Sequence, residues 1–113
     1  MFARLMGLNV VSARDLYQMV RDQSVTVIDV NSHQSWAKAH VPGASNVDPA
    51  AYSEGDLPAD KSASLVFYCS NPMCRKAPNA ARRAKKFGYS NVHVMSAGIS
   101  GWLGAQLPTE SGD

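Results

Sequence analysis

Two short runs, Val25 to Val30 (VTVIDV) and Leu65 to Cys69 (LVFYC), are β-branched or aromatic with too little polar alternation for a half-exposed strand. Such runs belong to strands covered on both faces, which is the setting of a parallel sheet. Tyr89 to Met95 (YSNVHVM), with Val92 and Val94 alternating, reads as a third strand, and Ala44 to Val47 as a short further one. Parallel strands need long crossover connections, and the segments between these runs supply them.

Those segments read as helices and turns. Ser12 ahead of ARDLYQMV is a helix N-cap, with Asp15 at the third helical position in a variant of the capping box, and predicts a helix over 13–21. Residues 32–39 (SHQSWAKA) form a second helix, anchored by Trp36, before His40-Val41-Pro42-Gly43-Ala44 makes a turn. Residues 48–64 read as loop. Pro78 suits a helix start and Gly88 a C-cap, which predicts a helix to residue 87. Ser100 to Ala105, with Trp102, closes the fold. Trp36, Trp102, Tyr68 and Phe67 are expected in the core, and residues 107–113 as a frayed polar tail. The alternation gives an α/β fold, a parallel sheet flanked by helices on both faces. At 113 residues it is a single domain, 1-113, with its core at about 12–105.

Composition excludes several classes. With 45% hydrophobic and 18% charged residues the chain is neither disordered nor collagenous. No apolar run approaches the ~20 residues needed to cross a bilayer. The N-terminal MFARLMGLNVVSA has no long apolar region before a cleavage site, and two cysteines cannot build a disulfide framework, so a cytoplasmic setting is expected. The net charge of +2 is unevenly spread: no acidic residue lies between Asp60 and Glu110, while Lys61, Arg75, Lys76, Arg82, Arg83, Lys85 and Lys86 do. A positive field there suits an anionic ligand or partner. The competing reading of Arg82 to Lys86 is a solvated helix face. Nucleic acid is not expected, because that stretch has no interleaved aromatics before Phe87.

The chemistry concentrates where a strand end, a turn-rich loop and a helix start converge, at Cys69-Ser70-Asn71-Pro72-Met73-Cys74-Arg75. Ligands of open α/β sheets bind beyond the carboxyl ends of the strands. A cysteine there faces amides that the loop and the helix N-terminus leave unpaired, and those donors favour negative charge. The ordinary thiol value of ~8.5 is expected to fall to between ~3.5 and ~7.5, giving a thiolate nucleophile in an anion cradle. Arg75 adds a permanently charged planar donor, and Lys76 either extends the cradle or is surface charge. Cys69 as a small buried hydrophobe is the competing reading. Cys74 is either a resolving thiol for Cys69 or a loop cysteine with no role. Zinc held by both cysteines and His93 has no supporting ligand spacing. Asp29 and His40 are expected to support the site structurally, and His33 and His93 to be surface or packing residues.

Two segments carry a resemblance. VIDVNSHQSWAKAHVPGASNV looks like the rhodanese-like signature, an aspartate-containing strand followed by a helix and a His-x-Pro-Gly-Ala turn. FYCSNPMCRKAPNAARRAKKFGYSNVHVMSAGISGW resembles that family's active-site strand, cysteine loop, helix, Gly-Tyr turn, strand and terminal Gly-Trp helix. The likeness spans roughly 12–105. It implies a sulfurtransferase in which Cys69 accepts a sulfane sulfur as a persulfide and passes it to a thiol or cyanide, with no metal or organic cofactor. Residues 70–76 would bind the donor. The implied partners are a small anionic sulfur donor and a protein thiol acceptor, and the expected state is a monomer or weak homodimer.

The chain departs from that pattern in two places. The common single-domain loop is Cys-x-x-Gly-x-Arg/Ser-Ser, whereas no glycine lies between Cys69 and Arg75, and the loop is a residue longer. Its Cys-x5-Arg form is similar to that of cell-cycle phosphatases and arsenate reductases, which leaves oxyanion chemistry as an alternative. The usual Asp-Val-Arg of the first strand is Asp29-Val30-Asn31 here, without the ion pair that often steadies the loop. A third alternative is a non-catalytic module that relays or senses sulfur through a partner.

Overall fold

The computed structural model describes residues 8–112. Five parallel strands form one sheet: β1 Asn9–Val10, β2 Thr26–Asp29, β3 Ser45–Asn46, β4 Leu65–Tyr68 and β5 Val92–Val94, in the order β1-β5-β4-β2-β3. The central pair is in register from Thr26 opposite Leu65 to Asp29 opposite Tyr68. The helices are α1 Ala13–Arg21, α2 His33–Lys38, α3 Lys76–Lys86 and α4 Gly98–Gly104, with a 3-10 turn at Glu54–Asp56 in the long loop.

Because side chains alternate across a strand, the central run supplies two cores at once. Leu65, Phe67 and Cys69 join Ile28, Val30, Val92 and Val94 beneath α3, whose Ala77, Ala80, Ala81 and Ala84 are small enough to bring its axis close to the sheet. Val66 and Tyr68 join Val27, Met95, Leu16 and Trp102 on the opposite face, beneath α1 and α4. All four residues of β4 are fully buried, as a strand covered on both sides requires. Each such large apolar side chain contributes about 1.5–3 kcal/mol relative to exposure. Trp102 pairs its only polar atom by donating Nε1–H to the Pro108 carbonyl at 2.8 Å.

Local signals account for the helix ends. Ser12 Oγ accepts from the Asp15 amide at 3.0 Å, so the first turn of α1 is capped as its sequence predicts. The third helix starts at Lys76, two residues before Pro78, which still falls in the first turn where a missing N–H costs nothing.

Three expectations need correction. Trp36 is half-buried, not a core anchor: α2 buries none of its residues, and the indole stacks on His40 at 4.3 Å while donating to the Ala44 carbonyl at 2.9 Å. The tail is not frayed through residue 112. His40 and Glu110 exchange backbone hydrogen bonds of 2.9 Å each, the Gly43 amide donates to Glu110 Oε1 at 2.8 Å, and the Gly112 amide donates to the Ala37 carbonyl at 2.7 Å. Arg83 is not part of a solvated face, since it donates Nε–H to the Tyr52 carbonyl at 3.0 Å and its guanidinium lies over the Tyr52 ring. The edge strand β1, two residues long, is too short to carry any periodic signal. Among the described residues no helix is long and apolar enough to cross a membrane.

Candidate active site

Strand β4 ends at Tyr68 and delivers Cys69 to the floor of a small crevice, where the residue is 3% exposed. The loop above it turns because of its sequence. Asn71 and Pro72 open a β-turn in which the Cys74 amide donates to the Asn71 carbonyl at 3.1 Å, and Asn71 Oδ1 accepts from the Met73 amide at 2.9 Å. Asn at the first position and Pro at the second are the residues such a turn selects. Met73 is left outside at 75% exposure, while Cys74 folds back and packs against the core beneath α3.

The two cysteines are thereby brought together. Cys69 Sγ lies 3.6 Å from the Cys74 carbonyl oxygen, and the two thiols are hydrogen-bonded to each other. Amides of Ser70 and Ala77 also point at Cys69, and those of Lys76 and Ser70 at Cys74. Three amides, those of Ser70, Lys76 and Ala77, thus face the two sulfurs, while those of Met73 and Cys74 are used within the turn.

The resting ionisation differs from the expectation. Cys69 is pushed up to about 12, first by burial and then by its hydrogen bond to Cys74, which outweigh the Ala77 and Ser70 amides. Burial also opposes the Cys74 thiolate, but Cys69 as donor, the Lys76 and Ser70 amides and the Lys76 charge together hold its pKa below the ordinary value. Cys69 is therefore not a free thiolate at rest. The first proton leaves the pair from Cys74, and Cys69 S–H donates to the resulting charge.

The loop is held from two sides. On one, the start of α4 lies under it: the Ile99 amide donates to the Cys69 carbonyl at 2.9 Å and the Ser100 amide to the Ser70 carbonyl at 3.0 Å. On the other, Ser70 Oγ donates to Asn31 Oδ1 at 2.8 Å, a neutral tether at the position where an arginine is usual. Behind Asn31, buried Asp29 accepts from the Asn31 amide at 2.7 Å and from Tyr68 Oη at 2.6 Å, while Tyr68 Oη accepts from the Val41 amide at 3.0 Å. Burial raises the Asp29 pKa despite the two hydrogen bonds. His40 adjoins this network at Val41 and acts on Asp29 through its charge, while its own Nδ1–H donates to the Trp36 carbonyl at 2.7 Å.

The crevice over Cys69 has a volume of about 10 Å3 and is lined by the loop, by Ala77 and Pro78 of α3 and by Met95 and Ser96 after β5. Ser70, Arg75 and Lys76 are exposed and do not line it. Lys76 instead faces a cleft of about 590 Å3 at the ends of β2 and β3, with Asn31, His33, Asn46, Asp48 and Asn79 around it. Sequence reasoning did not single out Gly98, Asn31 as a tether, or Ser96, whose hydroxyl is buried without a hydrogen-bond partner. A glycine between a strand and a short helix was the available sign for the first; the other two carry no local signal.

Comparison with known proteins agrees with this architecture. The family model of the rhodanese-like domain matches residues 12–105. A transcriptional regulator of Mycobacterium tuberculosis, the HTH-type regulator Rv0324, is 33% identical over 90 residues, which cover 78% of this chain and 38% of that protein. The thiosulfate sulfurtransferase GlpE of Shewanella oneidensis is 27% identical over 92 residues, 81% of this chain and 89% of its own. Among solved structures, the BH2092 protein of Bacillus halodurans superposes with a TM-score of 0.83 at 22% identity, covering 91% of this chain and 77% of that one.

Proposed function

Since this chain belongs to the rhodanese-like domain family, we propose that it is a sulfurtransferase that carries a sulfane sulfur as a persulfide on Cys69. The observation that carries the reading is the placement of Cys69 Sγ at the end of the central strand, under the amides of Ser70 and Ala77. Passing the shared proton from Cys69 to Cys74 puts the charge on Cys69. That sulfur attacks the outer sulfur of thiosulfate or a related donor, the donor's S–S bond breaks, and sulfite leaves with the electron pair. The new terminal sulfur is anionic, and the same amides stabilise it. A thiol or cyanide then removes it.

The size of the crevice favours sulfur over phosphorus or arsenic. At about 10 Å3 it takes roughly one water-sized group. For sulfane transfer only the donor's terminal sulfur must enter. For phosphoryl or arsenate chemistry the central atom must reach Sγ with three oxygens inside the cradle, and Arg75 does not line the space.

Incubation with thiosulfate followed by peptide mass spectrometry tests the proposal, with loading read before sulfur is passed on. An added mass of about 32 Da, one sulfur atom, is expected on Cys69 and is expected to vanish in Cys69→Ser. An unmodified Cys69, or a rate of sulfite release equal in the Cys69→Ser protein, would overturn it.

A further inference from the structure

The loop holds a second sulfur that the transfer reaction does not require as an acceptor. Ordinary sulfane transfer ends at an external nucleophile, and asks of position 74 no more than a group that takes the Cys69 proton. Here the Asn71-Pro72 turn folds Cys74 inward, so that both sulfurs line one crevice and Cys69 Sγ lies 3.6 Å from the Cys74 carbonyl oxygen. Each sulfur also receives backbone amides, so negative charge is accommodated on either.

We propose that Cys74 resolves the Cys69 persulfide within the chain, releasing hydrosulfide and leaving a Cys69–Cys74 disulfide, so that the protein is a thiosulfate-reducing, sulfide-releasing enzyme. This rests on the persulfide reading of Cys69. The step balances as a thiol–disulfide exchange. The Cys74 thiolate attacks Cys69 Sγ, a bond forms between the two cysteine sulfurs, and the bond from Cys69 Sγ to the terminal sulfur breaks. The electron pair leaves on that sulfur, which departs protonated as hydrosulfide. The two cysteines are oxidised and the sulfane sulfur is reduced. A dithiol, or two small thiols in succession, then opens the disulfide through a mixed disulfide. The net reaction converts thiosulfate and two thiols into sulfite, hydrosulfide and one disulfide.

Two features of the crevice suit this course. Its volume of about 10 Å3 leaves little room for an external thiol to reach the inner sulfur, whereas Cys74 is already inside. The buried Ser96 hydroxyl, without a hydrogen-bond partner, lines the same space and offers a donor to the departing sulfur.

The test uses the full chain, reduced, freed of small thiols and kept anaerobic, with thiosulfate as the only added reagent. In the wild type, about one hydrosulfide per chain is expected, with a mass loss of about 2 Da and a Cys69–Cys74 cross-linked peptide. Cys74→Ser lacks the thiolate that takes the Cys69 proton, so its loading is run to completion; the gain of about 32 Da should then persist on Cys69, with sulfide per loaded chain reduced at least about tenfold. A wild type that keeps a stable Cys69 persulfide and forms no cross-link overturns the inference and leaves the sulfurtransferase reading intact; so does the added sulfur appearing on Cys74, or equal sulfide release from Cys74→Ser. Absence of any adduct, cross-link or sulfide in both proteins overturns both readings. A second measurement is independent of loading: in a buffer of oxidised and reduced glutathione the pair should close to a disulfide, and failure to close under fully oxidising conditions overturns the inference.

Discussion

Gly98 lies directly beneath the amide nitrogen of Asn71, so close that a Cβ on Gly98 would stand 2.5 Å from it. The Ser70 carbonyl carbon is equally near, and Gly98 has a φ of +68°. The cysteine loop thus rests on bare backbone at the start of α4. Gly98→Ala is expected to cost about 2 kcal/mol or more, combining left-handed strain with a rigid backbone clash. It should also slow persulfide formation on Cys69, because the loop must lift. Gly88→Ala is the control: its φ is +104° but nothing stands within 4 Å of the added Cβ, so it should lower the urea midpoint and leave the loading rate alone.

Asn31 and Ser70 form the other tether, and a double-mutant cycle isolates it. Asn31→Ala, Ser70→Ala and the double variant should give a coupling free energy of about 0.5–1.5 kcal/mol in urea unfolding, the range for a neutral hydrogen bond. The hydroxyl side is exposed, so the lower end is expected. A coupling near zero would mean that the loop is held from the α4 side alone.

Behind the tether, Asp29 predicts a pH dependence of definite sign. Burial raises its folded-state value above the ordinary 3.8, so in the window between the two the folded state binds more protons than the unfolded one. The stability that this group contributes is therefore complete below 3.8 and is lost as pH rises through the folded value. Asp29→Asn removes the titration. The stability difference between wild type and Asp29→Asn should shrink as pH is raised from about 3.8 toward neutral, in urea titrations at several pH values. Asp29→Ala deprives both Tyr68 Oη and the Asn31 amide of their acceptor and should cost about 2–3 kcal/mol near pH 3.8, the cost shrinking in the same way as pH rises.

The chain after Pro108 is a structural strap. Truncation there removes the paired His40 and Glu110 bonds, the Gly43 contact and the Gly112 contact. These are mostly surface hydrogen bonds, so a loss of about 1–3 kcal/mol is expected as a lower urea midpoint with an unchanged slope. A midpoint equal to that of the full chain would return the segment to a frayed tail.

Much of this was legible in the sequence, for reasons that differ by element. The buried strands announced themselves because a strand covered on both faces cannot hide its composition, and α1 because Ser12 caps it. The cysteine loop was legible as a strand-to-helix junction. What escaped depends on contacts distant in the chain. Trp36 reads as a core residue by type, yet its helix meets the His40 turn and the Gly112 backbone and buries none of its residues. The tail reads as polar and loose, yet its backbone pairs across to residue 40. The ionisation of Cys69 was expected with the wrong sign, because the amides of a helix start are visible in a pattern whereas burial and a thiol neighbour are not.

That neighbour yields a reciprocal test. Two of the causes that push Cys69 up to about 12 come from Cys74, its hydrogen bond and its charge; burial remains without it, and so do the opposing Ala77 and Ser70 amides. Cys74→Ala should therefore lower the Cys69 pKa, read from the alkaline part of the thiolate ultraviolet-absorbance titration. Conversely, Cys74 owes part of its lowered value to Cys69 as donor. In Cys69→Ala the Cys74 pKa should rise, so that its alkylation by a small haloacetamide shifts to higher pH. Opposite shifts in the two variants, the second followed by mass spectrometry of the Cys74 peptide, are what a shared proton requires. Shifts in the same direction, or none, would mean that the two sulfurs titrate independently.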